Sequence, residues 1–231
     1  MLTYNFNKNK KSIHNIVFNK IKKDIKSNNR LIKFLLPSNI INSLANHLMP
    51  ILILTFFCAK EAGVYFFSIK VLAAPLFLIS SSISQVFYQK SSELNNDSNR
   101  SELYATTKKI VTLNLVIIIS LLFFLNTLGV HFLNLLFENQ WENLNLYILI
   151  LSFLIIARSS FSPISSLIIV LDKNLIGLIF NSYLLIINII AVYIGSIHNN
   201  ILHAIFILSL FGGIGYFVIL CFFLNHLKKT K

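Results

Sequence analysis

Acidic residues are scarce in this sequence: eight Asp and Glu stand against 20 Lys and Arg in 231 residues. None of the eight lies deep in an apolar run, for Glu61 and Asp172 sit at edges and Glu138 and Glu142 share a polar stretch. An antiporter that exchanges H⁺ or Na⁺ for drugs or cations wants an intramembrane carboxylate, so their absence weighs against that class. Cysteine is limited to Cys58 and Cys221, with no CxxC and no histidine at ligand spacing. No metal centre is expected, and both thiols read as packing residues. Tryptophan occurs once against 21 Phe, which suits lipid-facing helices better than a base-stacking surface. No GxxxxGK[ST] occurs, so no nucleotide hydrolysis and no cofactor are expected. The first thirty residues are polar and basic, which does not read as a signal peptide.

Charge of either sign is also rare, at 12% of residues, where soluble domains carry about 25%. What replaces it is apolar: 55% of residues are hydrophobic and the mean hydropathy is +0.72. Such a surface cannot be kept in water, so the class is integral membrane protein. A span needs about 20 apolar residues to cross roughly 30 Å of hydrocarbon. Six runs qualify, at 34–57, 63–88, 109–129, 145–169, 175–196 and 201–224. Backbone groups in lipid must bond within their own segment, and no alternating strands occur, so the runs predict an all-α, six-helix polytopic bundle. Flanking it are a basic cytoplasmic segment at 1–33 and a basic cytoplasmic tail at 225–231.

The net charge of +12 does not imply nucleic acid, because the basic residues cluster between apolar runs and at the ends. Segment 1–33 holds nine Lys and Arg, 89–109 holds four, 170–174 holds one and the tail holds three, whereas the alternate connections hold only Lys60. The positive-inside rule then predicts that both termini are cytoplasmic. The sequons at Asn96 and Asn99 would lie inside, out of reach of glycosylation. Within the first segment, Ile13, Ile16, Val17, Ile21 and Ile25 recur at helical spacing among lysines. That pattern fits a basic amphipathic helix on an anionic leaflet and equally a solvated linker that sets topology. Pro37 would then start the first span.

Two cations fall inside spans, Lys70 and Arg158. Buried charges without counter-ions are expensive and mark function by default. Snorkelling is the plain alternative for Lys70, roughly 12 Å along its helix from Ala62; Arg158 is too deep for it. At about 100° per residue, Ser81, Ser84 and Gln85 fall in the sector of Lys70, and Ser162 and Ser165 share the face of Arg158. Asn39, Asn42, Ser43 and Asn46 form a stripe on the first span, with His47 at its edge. Helix–helix glue explains the serines, but not unpaired cations. A wet cavity with positive walls suits a phosphate or pyrophosphate. Pro50, Pro75 and Pro163 lie within three spans and predict kinks, as in transporters with bent helices around a midplane site. Gly212, Gly213 and Gly215 read as a close-packing face. Glu138 and Glu142, four apart, hint only weakly at acid–base chemistry, and no enzyme activity is expected.

Four segments carry a resemblance. LPSNIINSLANHLMPILIL (36–54), AGVYFFSIKVLAAPLFLISSSISQVFYQKSSEL (62–94), LLFENQWENL (135–144) and SSFSPISSLIIVLDKNLIGLIFN (159–181) resemble the C-terminal half of bacterial polysaccharide flippases. These are the O-antigen and capsule-unit translocases of the multidrug/oligosaccharidyl-lipid/polysaccharide exporter superfamily. The likeness runs from about Leu31 to Leu227, and GxYxxxxKxxxxPxxxIxxxISQVFYQ is its most specific part. It implies a fold of twelve to fourteen helices in two six-helix bundles about a cationic cavity. The implied activity is translocation of undecaprenyl-pyrophosphate-linked oligosaccharide across the bacterial inner membrane, for lipopolysaccharide or other surface polysaccharide. Lys70 and Arg158 match positions where the family carries cations. Nothing resembles the first six helices. The expectation is therefore a half-length chain whose opposite cavity wall comes from a separate N-terminal half, or else a truncated, non-transporting remnant.

Overall fold

The computed structural model describes residues 31–129 and 143–229. The basic segment up to residue 30 and the polar stretch with Glu138 and Glu142 lie outside the described residues. Among those described there is no strand. Six helical spans are long and apolar enough to cross a membrane, so the chain is a multi-pass, all-α membrane protein.

A π-helical turn at Leu31–Leu35 leads into α1 (Leu36–Phe56), with Pro37 in its first turn. Proline fits there because the first-turn N–H has no partner to lose. Helix α2 (Ala59–Asn96) spans 38 residues, roughly 57 Å at 1.5 Å per residue. It exceeds the apolar run at 63–88 because a helix need not stop where hydrocarbon does. Helix α3 (Arg100–Phe124) likewise begins nine residues before its apolar run and ends in a π-turn at Leu125–Gly129. Asn99 caps α3: its Oδ1 accepts from the Glu102 N–H at 3.2 Å, and its Nδ2 donates to the Glu102 carboxylate at 2.8 Å, a reciprocal cap. Helix α4 (Leu144–Phe161) passes into a 3₁₀ turn at Ser162–Ile164 and a short α5 (Leu167–Val170). The run read as one span over 145–169 is thus a continuous α-helix only to Phe161. Helices α6 (Asn174–Ile197) and α7 (Ile201–Lys229) complete the bundle. Ser98, Asn143, Asp172 and Asn199 have φ between 47° and 62°; each sits beside a helix end, and Asn and Asp accept that conformation best.

Packing follows the sequence of contacts α1 on α6, α6 on α7 and α7 on α4, with α2 and α3 against α4. Helices α1 and α6 run parallel in a fixed register. Asn181 donates to the Ser38 carbonyl at 3.2 Å and to its Oγ at 2.9 Å, and Asn188 donates to the Ala45 carbonyl. The two bonds are seven residues apart on both helices, about two turns. Small residues let α6 and α7 approach closely, as membrane helices without a hydrophobic drive require. A Cβ on Gly195 would lie 2.6 Å from the Ala204 Cβ. Gly213 and Gly215 face the rings of Phe153 and Tyr183 in the same way, as a close-packing face requires.

The three prolines act differently. Helices α1 and α2 run through Pro50 and Pro75 as single α-helices, while at Pro163 the helix changes type. Pro163 has no N–H to give the carbonyl four residues back, which is that of Ser159. The Asn114 Nδ2 of α3 donates to that carbonyl at 2.7 Å. Ser209 Oγ of α7 donates to the Ile150 carbonyl and accepts from the Leu154 N–H at 3.3 Å. The Tyr147 hydroxyl of α4 donates to the Glu61 carboxylate in the first turn of α2. The cysteines depart from expectation: Cys58 and Cys221 are free and both exposed, so neither packs in the core. Cys58 precedes a helix start and Cys221 lies on the outer face of α7.

Candidate functional site

The bundle has two chemically distinct ends. Helices α1, α3 and α6 begin, and α2 and α7 finish, at an end that holds Lys90, Arg100, Lys108, Lys109, Lys173 and Lys228. The opposite end has Lys60 as its one Lys or Arg among the described residues. Between the two ends, α1 and α2 form the walls of a cleft, and α4, α6 and α7 form its floor.

The cleft has two adjoining chambers. The chamber nearer the basic end has a volume of about 670 Å³ and is lined by Asn39, Asn42, Ser81, Ser84, Gln85 and Ser162, among others. The deeper chamber, of about 700 Å³, is lined by His47, Lys70 and Arg158 together with Tyr65 and Phe66. Asn46, Phe77, Arg158 and Tyr216 line both, so Arg158 stands at the junction. Among the described residues, no Asp or Glu lines either chamber.

Lys70 and Arg158 therefore meet in one cavity, from two helices that both enter from the sparse end. Lys70 is eleven residues from the start of α2 and Arg158 fourteen from the start of α4, roughly 16 and 21 Å along their axes. Both are near the middle of a bilayer about 30 Å thick. Lys70 is exposed to the cleft, and its Nζ lies 5.1 Å from the centroid of the Phe66 ring. That cation–π contact weakly offsets the missing counter-ion. Arg158 is half-buried, and its side chain has no hydrogen bond or ion pair among the described residues. Two unneutralised cations facing one cavity are costly without an anion to face them.

The amides and hydroxyls expected to share the face of Lys70 lie instead in the other chamber. Ser81, the nearest of them, is eleven residues further along α2, so a common angular sector became two depths. Ser165 belongs to that same chamber, while Ser43 lines neither. Within the first chamber Asn46 donates to Asn42 at 3.2 Å. Asn39, Ser84 and Gln85 make no side-chain hydrogen bond among the described residues, and the Ser166 Oγ is buried without a partner. Of the prolines, Pro50 lines the deeper chamber, opposite Lys70, whereas Pro75 lines neither.

Several lining residues are absent from the sequence expectation. Asn181 and Asn188 lie seven apart on α6 and so on one face, a periodicity that singles them out in an apolar helix. Tyr65, Tyr88, Phe180 and Tyr216 bring ring surface into the cleft, and only the relative placement of the helices selects them from the other aromatics. No group of three or more His, Cys, Asp or Glu suited to a metal ion occurs among the described residues.

A family model described as "Polysaccharide biosynthesis protein" matches residues 15–145, more than half of the chain. Lys70 lies within the matched residues and Arg158 beyond them. No curated protein and no solved structure matches the chain.

Proposed function

This chain belongs to the polysaccharide biosynthesis protein family, and from that premise we propose that it forms one wall of a flippase for polyprenyl-pyrophosphate-linked oligosaccharide. The observation that carries the reading is the shared cavity of Lys70 and Arg158, free of acidic residues. A pyrophosphate diester carries charge that cannot enter hydrocarbon unaided, and two fixed cations at mid-depth replace part of its lost hydration. The polyprenyl tail needs no protein path of its own, because it stays in lipid. The role we read is transport: among the described residues the cleft pairs two cations with no carboxylate, which suits binding and release of an anion.

Orientation follows from charge. The basic end is cytoplasmic by the positive-inside rule, so the amide-lined chamber faces the inner leaflet of the plasma membrane, where a cytoplasmic glycan arrives. Alternating access would expose the same cavity to the other side. The cleft between α1 and α2 needs an opposing wall, supplied by a second six-helix unit, whether part of a longer chain or a separate one. A cation antiporter is disfavoured because no carboxylate lines the cleft to exchange a proton or sodium.

Complementation tests this. A bacterial strain lacking its flippase would receive this chain together with a six-helix N-terminal unit of the same family. Restored surface glycan is expected with the pair, and its loss in Lys70→Ala and in Arg158→Ala at unchanged membrane levels of protein. Rescue by both variants would overturn the cationic-site reading. Failure of the unaltered pair with every partner unit tried would favour a non-transporting remnant.

A further inference from the structure

We infer that the chamber nearer the basic end is a saccharide subsite, built to hold an uncharged sugar by neutral hydrogen bonds while the deeper chamber holds the pyrophosphate. This rests on the flippase reading for the pyrophosphate but on separate residues for the sugar.

Three observations carry it. The first is the kind of polar group present. Asn39, Asn42 and Asn46 from α1 face Ser84 and Gln85 from α2 across about 670 Å³, within the range of small-molecule sites, roughly 300–1,000 Å³. Carboxamides and hydroxyls both donate and accept, which matches a ring that presents adjacent hydroxyls. Among the described residues Arg158 is the one charged member of this lining, and it stands at the junction.

The second is that three of these groups, Asn39, Ser84 and Gln85, are free, while Asn42 and Asn46 bond only each other. Polar side chains at the helix seams are bonded to the backbone opposite: Asn114 to Ser159, Asn181 to Ser38 and Asn188 to Ala45. Helix–helix glue looks like that. Asn39, Ser84 and Gln85 hold nothing among the described residues, and the buried Ser166 Oγ is unpartnered. Groups that do not join helices are available to a ligand.

The third is continuity. Asn46, Phe77, Arg158 and Tyr216 line both chambers. A sugar linked to a phosphate at Arg158 therefore lies in the amide chamber without a gap. Ring surface of Tyr88 and Phe180 in the same lining is apolar area for the C–H face of a pyranose, which hydroxyls alone would not use.

The test uses the full chain, paired with the six-helix N-terminal unit that restores glycan in complementation, in phosphatidylcholine nanodiscs, which lack anionic lipid. Two probes are titrated: geranyl pyrophosphate and geranyl-pyrophosphoryl-N-acetylglucosamine. The sugar conjugate is expected to bind about tenfold tighter than the bare pyrophosphate, the increment of one or two net hydrogen bonds. The double variant Asn39→Ala/Gln85→Ala should lose that increment and bind both probes alike. Lys70→Ala should weaken both probes and keep their ratio. Equal binding of the two probes to the unaltered chain would overturn the subsite. So would a double variant that still prefers the conjugate. A third probe, N,N′-diacetylchitobiose observed by saturation-transfer NMR, carries no phosphate and separates the two readings. If neither geranyl probe binds, the pyrophosphate site fails. Chitobiose transfer that disappears in the double variant would still uphold the sugar site, and absence of transfer would end it.

Discussion

Asn181 and Asn39 carry the same side chain on neighbouring helices, α6 and α1. Asn181 donates twice to Ser38 and fixes the register of those helices. Asn39, one residue beyond Ser38, lines the same chamber as Asn181 and bonds nothing among the described residues. The same contrast separates Gly195, closed against Ala204, from the exposed Gln85. In a membrane bundle, polar and small residues do two jobs. At the seams they bring backbones together where no hydrophobic force acts between helices. On the cleft they leave hydrogen-bonding capacity open. Composition cannot tell these apart; the partner, or its absence, does.

The contrast breaks most severely at the seam. In a helix, Gly to Ala normally gains about 1 kcal/mol of propensity. Gly195→Val should do the opposite, because the added Cβ would sit 2.6 Å from the Ala204 Cβ and 3.0 Å from its backbone nitrogen. A backbone atom cannot swing aside as a side chain can. A loss of about 3 kcal/mol is expected, read as a lower midpoint in denaturant-induced unfolding in detergent. A midpoint equal to that of the unaltered protein would mean that α6 and α7 do not meet at Gly195.

Asn114→Ala should cost less, about 1 to 2 kcal/mol. It removes the donor at 2.7 Å from the Ser159 carbonyl, which Pro163 cannot satisfy within the helix. The double variant Asn114→Ala/Pro163→Ala sharpens the point. With an N–H restored at 163, the helix itself can bond the Ser159 carbonyl. The loss at 114 should then shrink by more than half, and an additive loss would show that the carbonyl was never the reason for Asn114.

Much of the fold was legible because the determining signals are local. An apolar run about 20 residues long can be counted, and so can the lysines between runs. Lys70 and Arg158 stood out for the same reason: a cation in an apolar run is conspicuous wherever its helix goes. Which cations share a cavity depends instead on how helices stack. Lys70 meets Arg158 and His47 rather than Ser81, because α2 is long enough to line two chambers in succession. The partners of the seam amides were hidden for a related reason. Asn114 reaches a partner 45 residues away, and Asn181 and Asn188 each reach one 143 away. The cysteines were misplaced because a small apolar side chain fits lipid as well as a core.

The smallest effect on stability falls on the cleft, with the opposite sign. Arg158 is half-buried and unpaired among the described residues, so its charge contributes desolvation cost and no ion pair. Replacing a buried charge by an apolar side chain of similar length is often neutral or stabilising. Arg158→Met should therefore unfold at the same denaturant concentration as the unaltered chain or slightly higher, by about 0 to 1 kcal/mol. Glycan transport in the complementation strain should nonetheless be lost. Seam residues hold the bundle together and cleft residues strain it, so stability and transport should separate at Arg158 and fall together at Gly195. A clear loss of stability in Arg158→Met would place Arg158 among the structural residues and leave the anion site with Lys70 alone.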